Sequence, residues 1–246
     1  MNRNAIHQYF ETVMAMLSDI LDSQADRMEA AARAVQASLA RGGMLYVFGT
    51  GHAHMIAEEM YYRAGGLVRV CAILEEDLML HRSASGSTQK ERQHGLAEEI
   101  LSRYPVRQGD VLLIASNSGR NAVPVEMALL GKERGMQVIA LTNLRHSRSA
   151  PANNRHGRRL FEVADLVIDT MGQVGDACVA LADGRRMGAA STVTGAAIAQ
   201  AIAVRAGELA LEQGMLLETF ASSNVPGGDE INKRFVDAYQ GQIPGL

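Results

Sequence analysis

The sequence predicts an α/β fold, a three-layer sandwich in which a five-stranded parallel sheet lies between layers of helices. Short apolar runs recur along the chain, as expected for strands buried on both faces, and they lie at 44–48, 67–73, 111–115, 137–142 and 166–169. Segments of helical composition separate these runs, and such alternation is typical of βαβ crossovers. With 246 residues, 47% of them hydrophobic, the chain can bury one full core.

The N-terminal part of the chain is predicted to be helical. Residues 4–41 carry apolar side chains such as Ile6, Phe10, Val13 and Leu17 at spacings of three and four, which indicates one or two amphipathic helices. We expect a single domain over residues 1–246. In it, the N-terminal helices occupy 1–41, the α/β core 42–215 and a C-terminal tail 216–246.

Further helices are predicted between and after the strands, at about 53–64, 89–103, 124–134 and 191–213, with a last short helix in the tail. Two polar segments, 75–95 and 145–159, interrupt this pattern. The first could be a lid over a site, and the arginines of the second could attract a phosphorylated ligand. Plain surface loops would have the same composition, so both interpretations stay open.

Charge and hydropathy exclude several classes of function. The net charge is −3 and no basic stripe stands out, which disfavours binding to DNA or RNA. The apolar stretches are too short to span a bilayer, and the N-terminus lacks the apolar segment of a secretory signal. We therefore expect a soluble cytoplasmic protein with no membrane partner. Cys71 and Cys178 lie in apolar segments, so we expect two buried thiols.

The segment that follows the third strand is the strongest functional signal. Residues 111–115 form an apolar run that leads directly into a polar turn, and a helix is predicted after it. Backbone N–H groups and the helix dipole favour an anion at such a point. The candidate phosphate ligands of this turn are Ser116, Asn117, Ser118, Gly119 and Asn121. Turns and helix caps use the same residue types, so this segment alone does not distinguish a phosphate site from an ordinary turn.

A second turn of the same kind follows the first strand. Gly49, Thr50 and Gly51 come directly after residues 44–48 and precede a helical segment, and they are further candidates for phosphate binding. Two such turns predict one crevice at the carboxyl edge of a parallel sheet, where open α/β folds bind ligands.

Both turns resemble those of the sugar isomerase (SIS) domain family, which binds phosphosugars. In that family the second turn reads Ser-x-Ser-Gly-x-Ser/Thr, and the chain has Asn121 at the last place. The first turn is similar to the family's Gly-x-Gly-x-Ser signature, although Ala53 stands where serine is expected. The overall pattern is most similar to the phosphoheptose isomerase-like members, and more narrowly to a bacterial subgroup of unassigned substrate. This resemblance implies a flavodoxin-like strand order, a phosphorylated sugar as ligand, and a homodimer or homotetramer.

Aldose-ketose isomerisation through an enediol needs a base near C1 and C2 and a group that protonates oxygen. Related isomerases carry a glutamate base on the helix after the first turn, which makes Glu58 and Glu59 the catalytic candidates, together with His52 at the helix start. Two adjacent carboxylates on a helix point about 100° apart, so at most one should face the crevice. A salt-bridged surface pair and a capping histidine are the plain alternatives.

Two other functions, and a metal site, are weighed against a phosphosugar isomerase. SIS domains also act as non-catalytic phosphosugar sensors, but residues 1–40 show no basic recognition helix. A nicotinamide site is disfavoured because the third glycine of the dinucleotide fingerprint is missing and Arg69 stands where an acid is expected. His54 and Glu58 could share a helix face, but a third ligand at recognisable spacing is lacking. No metal and no cofactor are therefore expected.

Overall fold

The structure, a computed structural model, describes residues 4–246. Its centre is a five-stranded parallel sheet in the order β2-β1-β3-β4-β5, which confirms the predicted fold class and the flavodoxin-like order. The strands are β1 (Leu45–Gly49), β2 (Val70–Ile73), β3 (Val111–Ala115), β4 (Gln137–Thr142) and β5 (Leu166–Asp169).

Helices cover both faces of the sheet and occupy much of the remaining chain. In chain order they are α1 (Ala5–Ala40), α2 (His54–Met60), α3 (Ala84–Lys90), α4 (Leu96–Leu101), α5 (Ala122–Glu133), α6 (Leu144–Arg148), α7 (Leu160–Val163), α8 (Ser191–Glu212) and α9 (Gly228–Tyr239). Helix α1 is one continuous helix of 36 residues, where the sequence left one or two helices open. Asn4 begins it, because its side chain accepts hydrogen bonds from the Ile6 and His7 amides.

Alternate residues of the strands pack into two separate cores. Leu45 and Val47 face the core that α1 and α8 cover, whereas Tyr46 and Phe48 face the core that α4 and α5 cover. All four side chains are buried. Burial on both faces explains why these strands are continuous apolar runs in the sequence.

Three predicted boundaries differ from the structure. Helix α2 ends at Met60 because Tyr61 is extended and Tyr62 has a φ of 45°. The helix predicted over 89–103 is shorter in the structure, because α4 covers only Leu96–Leu101 and starts after Gly95, which has a φ of 83°. Helix α3 lies almost entirely before the predicted start. Strand β2 begins at Val70, since Leu67 pairs with Thr219 of the tail instead.

A small antiparallel hairpin outside the main sheet has no counterpart in the sequence predictions. It consists of β6 (Ala177–Ala180) and β7 (Arg186–Ala189). The hairpin packs beside the first turns of α1, and an open apolar groove lies between them. Ile6 and Phe10 of α1 and Met187 of β7 are exposed apolar side chains around this groove. We call this region the N-terminal apolar surface.

The two cysteines are buried free thiols, as predicted. Within residues 4–246, no helix combines the length and apolar composition needed to cross a membrane.

Candidate functional site

The two predicted turns start side by side at the carboxyl edge of the sheet. Strands β1 and β3 are neighbours, and Gly49 at the end of β1 pairs with Ala115 at the end of β3. Thr50 and Ser116 therefore begin their turns at the same level. We call residues 49–53 loop 1 and residues 116–121 loop 2.

The glycines of loop 1 are required by its backbone. A Cβ atom on Gly49 would collide with the Ala53 carbonyl group, and Gly51 has a φ of +55° that L side chains rarely adopt. Thr50 between them is 7% exposed. A single 3-10 turn, Gly51–Ala53, then leads into α2, so the Gly-x-Gly pattern allows a sharp turn from strand to helix.

Loop 2 is fixed by hydrogen bonds to its own atoms and to β4. The Gly119 amide donates to Ser116 Oγ at 3.2 Å, and the Thr142 hydroxyl donates to the Ser116 carbonyl at 2.6 Å. Gly119 has a φ of +56°, and a Cβ there would lie 3.1 Å from both Leu160 Cβ and Thr142 Oγ1. Ser116 is 4% exposed, whereas Ser118 and Asn117 are half-buried. The loop is therefore held rigidly before any ligand binds.

A small cavity of about 30 Å³ lies where the two loops meet the start of α8. Of the predicted site residues, His52, Ser116 and Asn117 line it. The other predicted phosphate ligands, Gly49, Thr50, Gly51, Ser118, Gly119 and Asn121, do not line it. The other lining residues are Ala53, Ile56, Ala115, Leu141, Thr170, Ser191, Thr192 and Gly195.

Unsatisfied polar atoms are concentrated around loop 2. Five buried side-chain polar atoms of the described chain lack a hydrogen-bond partner, and four of them belong to loop 2 or to the segments that flank it: Asn117 Oδ1, Arg120 Nε, Ser147 Oγ and Thr170 Oγ1. Buried polar groups are normally paired because leaving one unpaired costs about 1–3 kcal/mol. Four such atoms at one edge of the sheet are typical of a place that receives a polar ligand.

The Thr170 hydroxyl is the clearest case of a buried, unpaired polar atom that faces the cavity. The side chain is 4% exposed, its hydroxyl has no partner within residues 4–246, and it lines the cavity. The loop that follows it contains two residues with left-handed backbone conformations, Met171 (φ 55°) and Asp176 (φ 70°). Such conformations in residues other than glycine are costly and cluster at functional sites.

Asp176 fixes the start of α8 beside the cavity. Its carboxylate accepts hydrogen bonds from the Ala190 and Ser191 amides and, at 2.6 Å, from the Ser191 hydroxyl. Ser191 and Thr192 are the first two residues of α8. The structure places both in the cavity wall.

The predicted catalytic residues have different surroundings. His52 is exposed and lines the cavity. Glu58 is exposed, and its carboxylate lies 3.6 Å from His54 Nε2. Glu59 faces α8, and Gln200 of that helix donates to its carboxylate at 3.0 Å. Arg63, four residues after Glu59, donates to the same carboxylate at 2.9 Å. Neither glutamate lines the cavity.

His54 is a structural histidine. It is 8% exposed, and its Nδ1 atom contacts the Gly51 carbonyl, so it closes the turn of loop 1. No group of three or more His, Cys, Asp or Glu side chains within residues 4–246 is arranged to hold a metal ion.

The polar segment 75–95 reaches the site through α3. Ser87 is buried and donates to the Leu78 carbonyl at 2.7 Å, and its hydroxyl stands 4.0 Å from the place of a Cβ on Gly51. Glu91 follows α3 directly, and burial raises the pKa of its carboxyl against the opposing effects of the Asn121 and Thr50 side chains. Sequence reasoning missed Glu91, since nothing in its local pattern separates it from a surface glutamate.

The arginine-rich segment 145–159 packs against loop 2. Its Asn153 amide and Asn154 side chain both donate to the Arg120 carbonyl at 2.8 Å. Arg148 and Arg159 of the same segment lie over the Phe161 ring, at 5.3 Å and 4.9 Å from its centroid. The segment thus supports the backbone of loop 2, and some of its cations are used in packing.

Comparisons with known proteins identify the family of the chain. A family model described as the SIS domain matches residues 8–143, more than half of the chain. The chain belongs to the SIS domain family. A UPF0309 protein of Geobacillus thermodenitrificans is 41% identical over 242 residues, covering 98% of this chain and 97% of that protein. The name of that relative assigns no activity to this SIS protein.

Solved structures show the same SIS fold. A phosphoheptose isomerase from Francisella tularensis has a TM-score of 0.56 at 15% identity and covers 82% of this chain and 96% of its own. The Vibrio vulnificus NanR protein complexed with ManNAc-6P has a TM-score of 0.50 at 16% identity, with 99% and 72% covered. At these identities the likeness shows the fold alone.

Proposed function

We propose that this SIS protein binds a phosphorylated sugar, with the phosphate group held by loops 1 and 2. The observation that carries the proposal is the group of four unpaired buried polar atoms around loop 2. Glycine-containing loops that lead from a strand into a helix are suited to an anion, and the adjacent Thr170 and Thr192 hydroxyls are suited to sugar hydroxyls. The NanR protein, which shares the fold, is complexed with a sugar phosphate.

The finer proposal is an aldose-ketose phosphosugar isomerase that transfers a proton through an enediol. His52 at the cavity wall is in place to exchange a proton with a sugar oxygen. Glu58 and Glu59 stay the candidate bases. Because each is held by a partner outside the cavity, either would have to leave that partner to reach a sugar.

Thermal unfolding tests phosphosugar binding. A panel of pentose, hexose and heptose phosphates, including ManNAc-6P, is compared with the same sugars without phosphate. A ligand at about 100 times its Kd adds about 2.7 kcal/mol to the free energy of unfolding. For a chain of this size, that raises Tm by roughly 5–10 °C.

Only phosphorylated sugars should raise Tm, and the Ser116→Ala, Ser118→Ala double variant should lose the shift. Equal shifts with unphosphorylated sugars would contradict the assignment of loops 1 and 2 to a phosphate group.

A non-catalytic phosphosugar sensor is the alternative. Incubation of the stabilising phosphosugar in deuterium oxide separates the two, because an enediol mechanism exchanges the proton at C2. Exchange that is lost in Glu58→Gln or Glu59→Gln supports the isomerase and identifies its base. Binding without exchange supports the sensor.

We further propose that the protein associates as a homodimer or homotetramer in the cytoplasm. The N-terminal apolar surface supports association, since Ile6, Phe10 and Met187 expose more than half of their surface. Light scattering of the purified protein measures the oligomeric state, and a monomer at micromolar concentration would contradict the proposal.

A further inference from the structure

A second cavity lies at the amino edge of the sheet, at the opposite ends of the strands from loops 1 and 2. Its walls come from the segments 42–44, 105–110 and 239–242, together with Tyr46 and Arg69. The cavity measures about 180 Å³, whereas the one beside loops 1 and 2 measures about 30 Å³. We call it the amino-edge cavity. The two cavities share no lining residue.

The walls of the amino-edge cavity are held in place by the fold. Asp110 is 2% exposed, and its carboxylate accepts from the Met44 amide at 2.8 Å and from the Arg107 amide at 2.7 Å. These bonds join two of the three wall segments. The third is anchored by Ile243, which is buried in the core that α4 and α5 cover and whose amide donates to the Tyr239 carbonyl at 3.1 Å. The cavity is therefore formed before any ligand enters.

Tyr46 gives this cavity an unpaired hydrogen-bond donor. The residue is 1% exposed and lines the cavity, and its hydroxyl has no hydrogen-bond partner within residues 4–246. Buried tyrosine hydroxyls usually find a partner. Burial raises the pKa of the Tyr46 phenol, so the hydroxyl stays protonated and can donate to a ligand.

The charged groups of the wall leave one cation uncommitted. Arg69 donates to two backbone carbonyl groups and lies 3.6 Å from the Glu218 carboxylate. The Asp110 carboxylate is occupied by the two amides. Arg107 is exposed, and its guanidinium has no hydrogen bond or ion pair within the described chain. Its positive charge acts on the Tyr46 phenol, so both donors serve the same space. Such a pair is suited to a negatively charged oxygen.

We propose that the amino-edge cavity is a second ligand site that binds a small hydroxycarboxylate, with its carboxylate held by the Arg107 guanidinium and the Tyr46 hydroxyl. A guanidinium matches the two oxygens of a carboxylate. One free cation balances one negative charge, and the Asp110 carboxylate in the same wall opposes a second, which favours a carboxylate over a phosphate dianion. Gln242 donates through Nε2 to the Ala238 carbonyl at 3.1 Å, so its Oε1 is available to accept from a ligand hydroxyl.

Saturation-transfer NMR with the full chain tests this site. The probes are lactate and glycerate, and each is titrated to obtain Kd. Propanoate, which is lactate without its hydroxyl group, and uncharged glycerol are the matched control compounds. Lactate and glycerate should bind, propanoate should bind about 3–10-fold more weakly for the loss of one hydrogen bond, and glycerol should not bind.

Three variants locate the bound carboxylate. Arg107→Gln should raise Kd for lactate at least about tenfold, since hydrogen bonds to a charged group are lost, and Tyr46→Phe should raise it about 3–10-fold. Arg234→Gln, at an exposed position of α9 that does not line the cavity, should keep the wild-type Kd. Tyr46→Phe removes only an unpaired hydroxyl, so it should not lower Tm, and thermal unfolding without ligand verifies that each variant is folded.

An absence of saturation transfer to lactate and glycerate would overturn the inference, as would an unchanged Kd in both Arg107→Gln and Tyr46→Phe. Displacement of lactate by inorganic phosphate would overturn the assignment to a carboxylate. The site does not depend on the proposed phosphosugar site, because the two lie at opposite edges of the sheet. A phosphosugar that raises Tm should therefore leave Kd for lactate unchanged, and either proposal can fail while the other stands.

Discussion

His94 Nδ1 lies 2.7 Å from the Oε1 atom of Glu126, a carboxylate that is 5% exposed in the first half of α5. The same carboxylate accepts from the Gly95 amide at 2.8 Å and lies 3.2 Å from Arg155 and 3.4 Å from His156. One buried charge thus joins the end of segment 75–95 to segment 145–159, and both segments contact the loops of the site.

Replacing Glu126 should destabilise the fold. Glu126→Gln keeps the shape of the side chain but removes the charge that its partners surround, and we expect the free energy of unfolding to fall by about 1–3 kcal/mol. Urea denaturation measures this change. Glu133→Gln, at an exposed position of the same helix, is the control and should change stability by less than about 0.5 kcal/mol. Equal effects of the two changes would show that the buried contacts of Glu126 add nothing to the free energy of unfolding.

The same residue should contribute to loss of stability in acid. Burial alone would raise the pKa of Glu126, but hydrogen bonds from His94 and the Gly95 amide, together with the charge of Arg155, hold that pKa below its ordinary value. Its contribution is complete above the unfolded-state pKa and is lost as the pH falls through the lower folded-state pKa. Urea denaturation at a series of pH values below about 5 should show a smaller loss in Glu126→Gln than in the wild type. Parallel curves would contradict this assignment.

Thr170→Val separates stability from binding. The Thr170 hydroxyl is buried without a partner, so valine should leave the free energy of unfolding unchanged or raise it by up to about 1 kcal/mol. Loss of one hydrogen bond to a ligand should weaken phosphosugar affinity by about 3–10-fold.

Thr194→Val is the matched control for this prediction. Thr194 is also buried, but its hydroxyl donates to the Ala190 carbonyl at 3.2 Å. This change should lower stability by about 0.5–1.5 kcal/mol and leave affinity unchanged. If both variants behave alike in calorimetric titration and in denaturation, the Thr170 hydroxyl is not a ligand contact.

Gly119→Ala should damage loop 2. Any L residue at its φ of +56° costs about 1–2 kcal/mol, and the added methyl group would also press against Leu160 and Thr142. Gly157→Ala has a similar φ of +62° and open space around the Cβ position, so it should cost only the backbone term and leave phosphosugar binding intact. Equal stability losses in the two variants, measured by thermal unfolding, would show that loop 2 can relax around the methyl group.

Much of the fold could be predicted from the sequence because its signals are local. The five strands are buried on both faces, so each is an apolar run that can be recognised without knowing its neighbours. The two loops could be predicted for the same reason, since glycine and hydroxyl residues directly after a strand mark a turn at its carboxyl end. The hairpin β6–β7 escaped prediction because β7 is exposed along its whole length and has no apolar periodicity.

The rest of the candidate site depends on contacts between distant segments. Thr170 resembles an ordinary strand end until the cavity shows that its hydroxyl is buried and unpaired. Glu126 is an acidic residue on a helix, where exposure is the usual expectation. Its burial results from segments 75–95 and 145–159 packing against α5, and no local pattern in the sequence records that packing.

The burial of both cysteines has a practical consequence. Cys71 is fully buried in β2, and burial raises the pKa of its thiol to about 12; burial likewise raises the pKa of Cys178. Thiol reagents act on the thiolate and need access to it. The folded native chain should therefore not react with maleimide dyes. A single cysteine introduced on the outer side of segment 75–95 would then carry a fluorophore at a unique place, and movement of that segment could be followed without first removing the natural thiols.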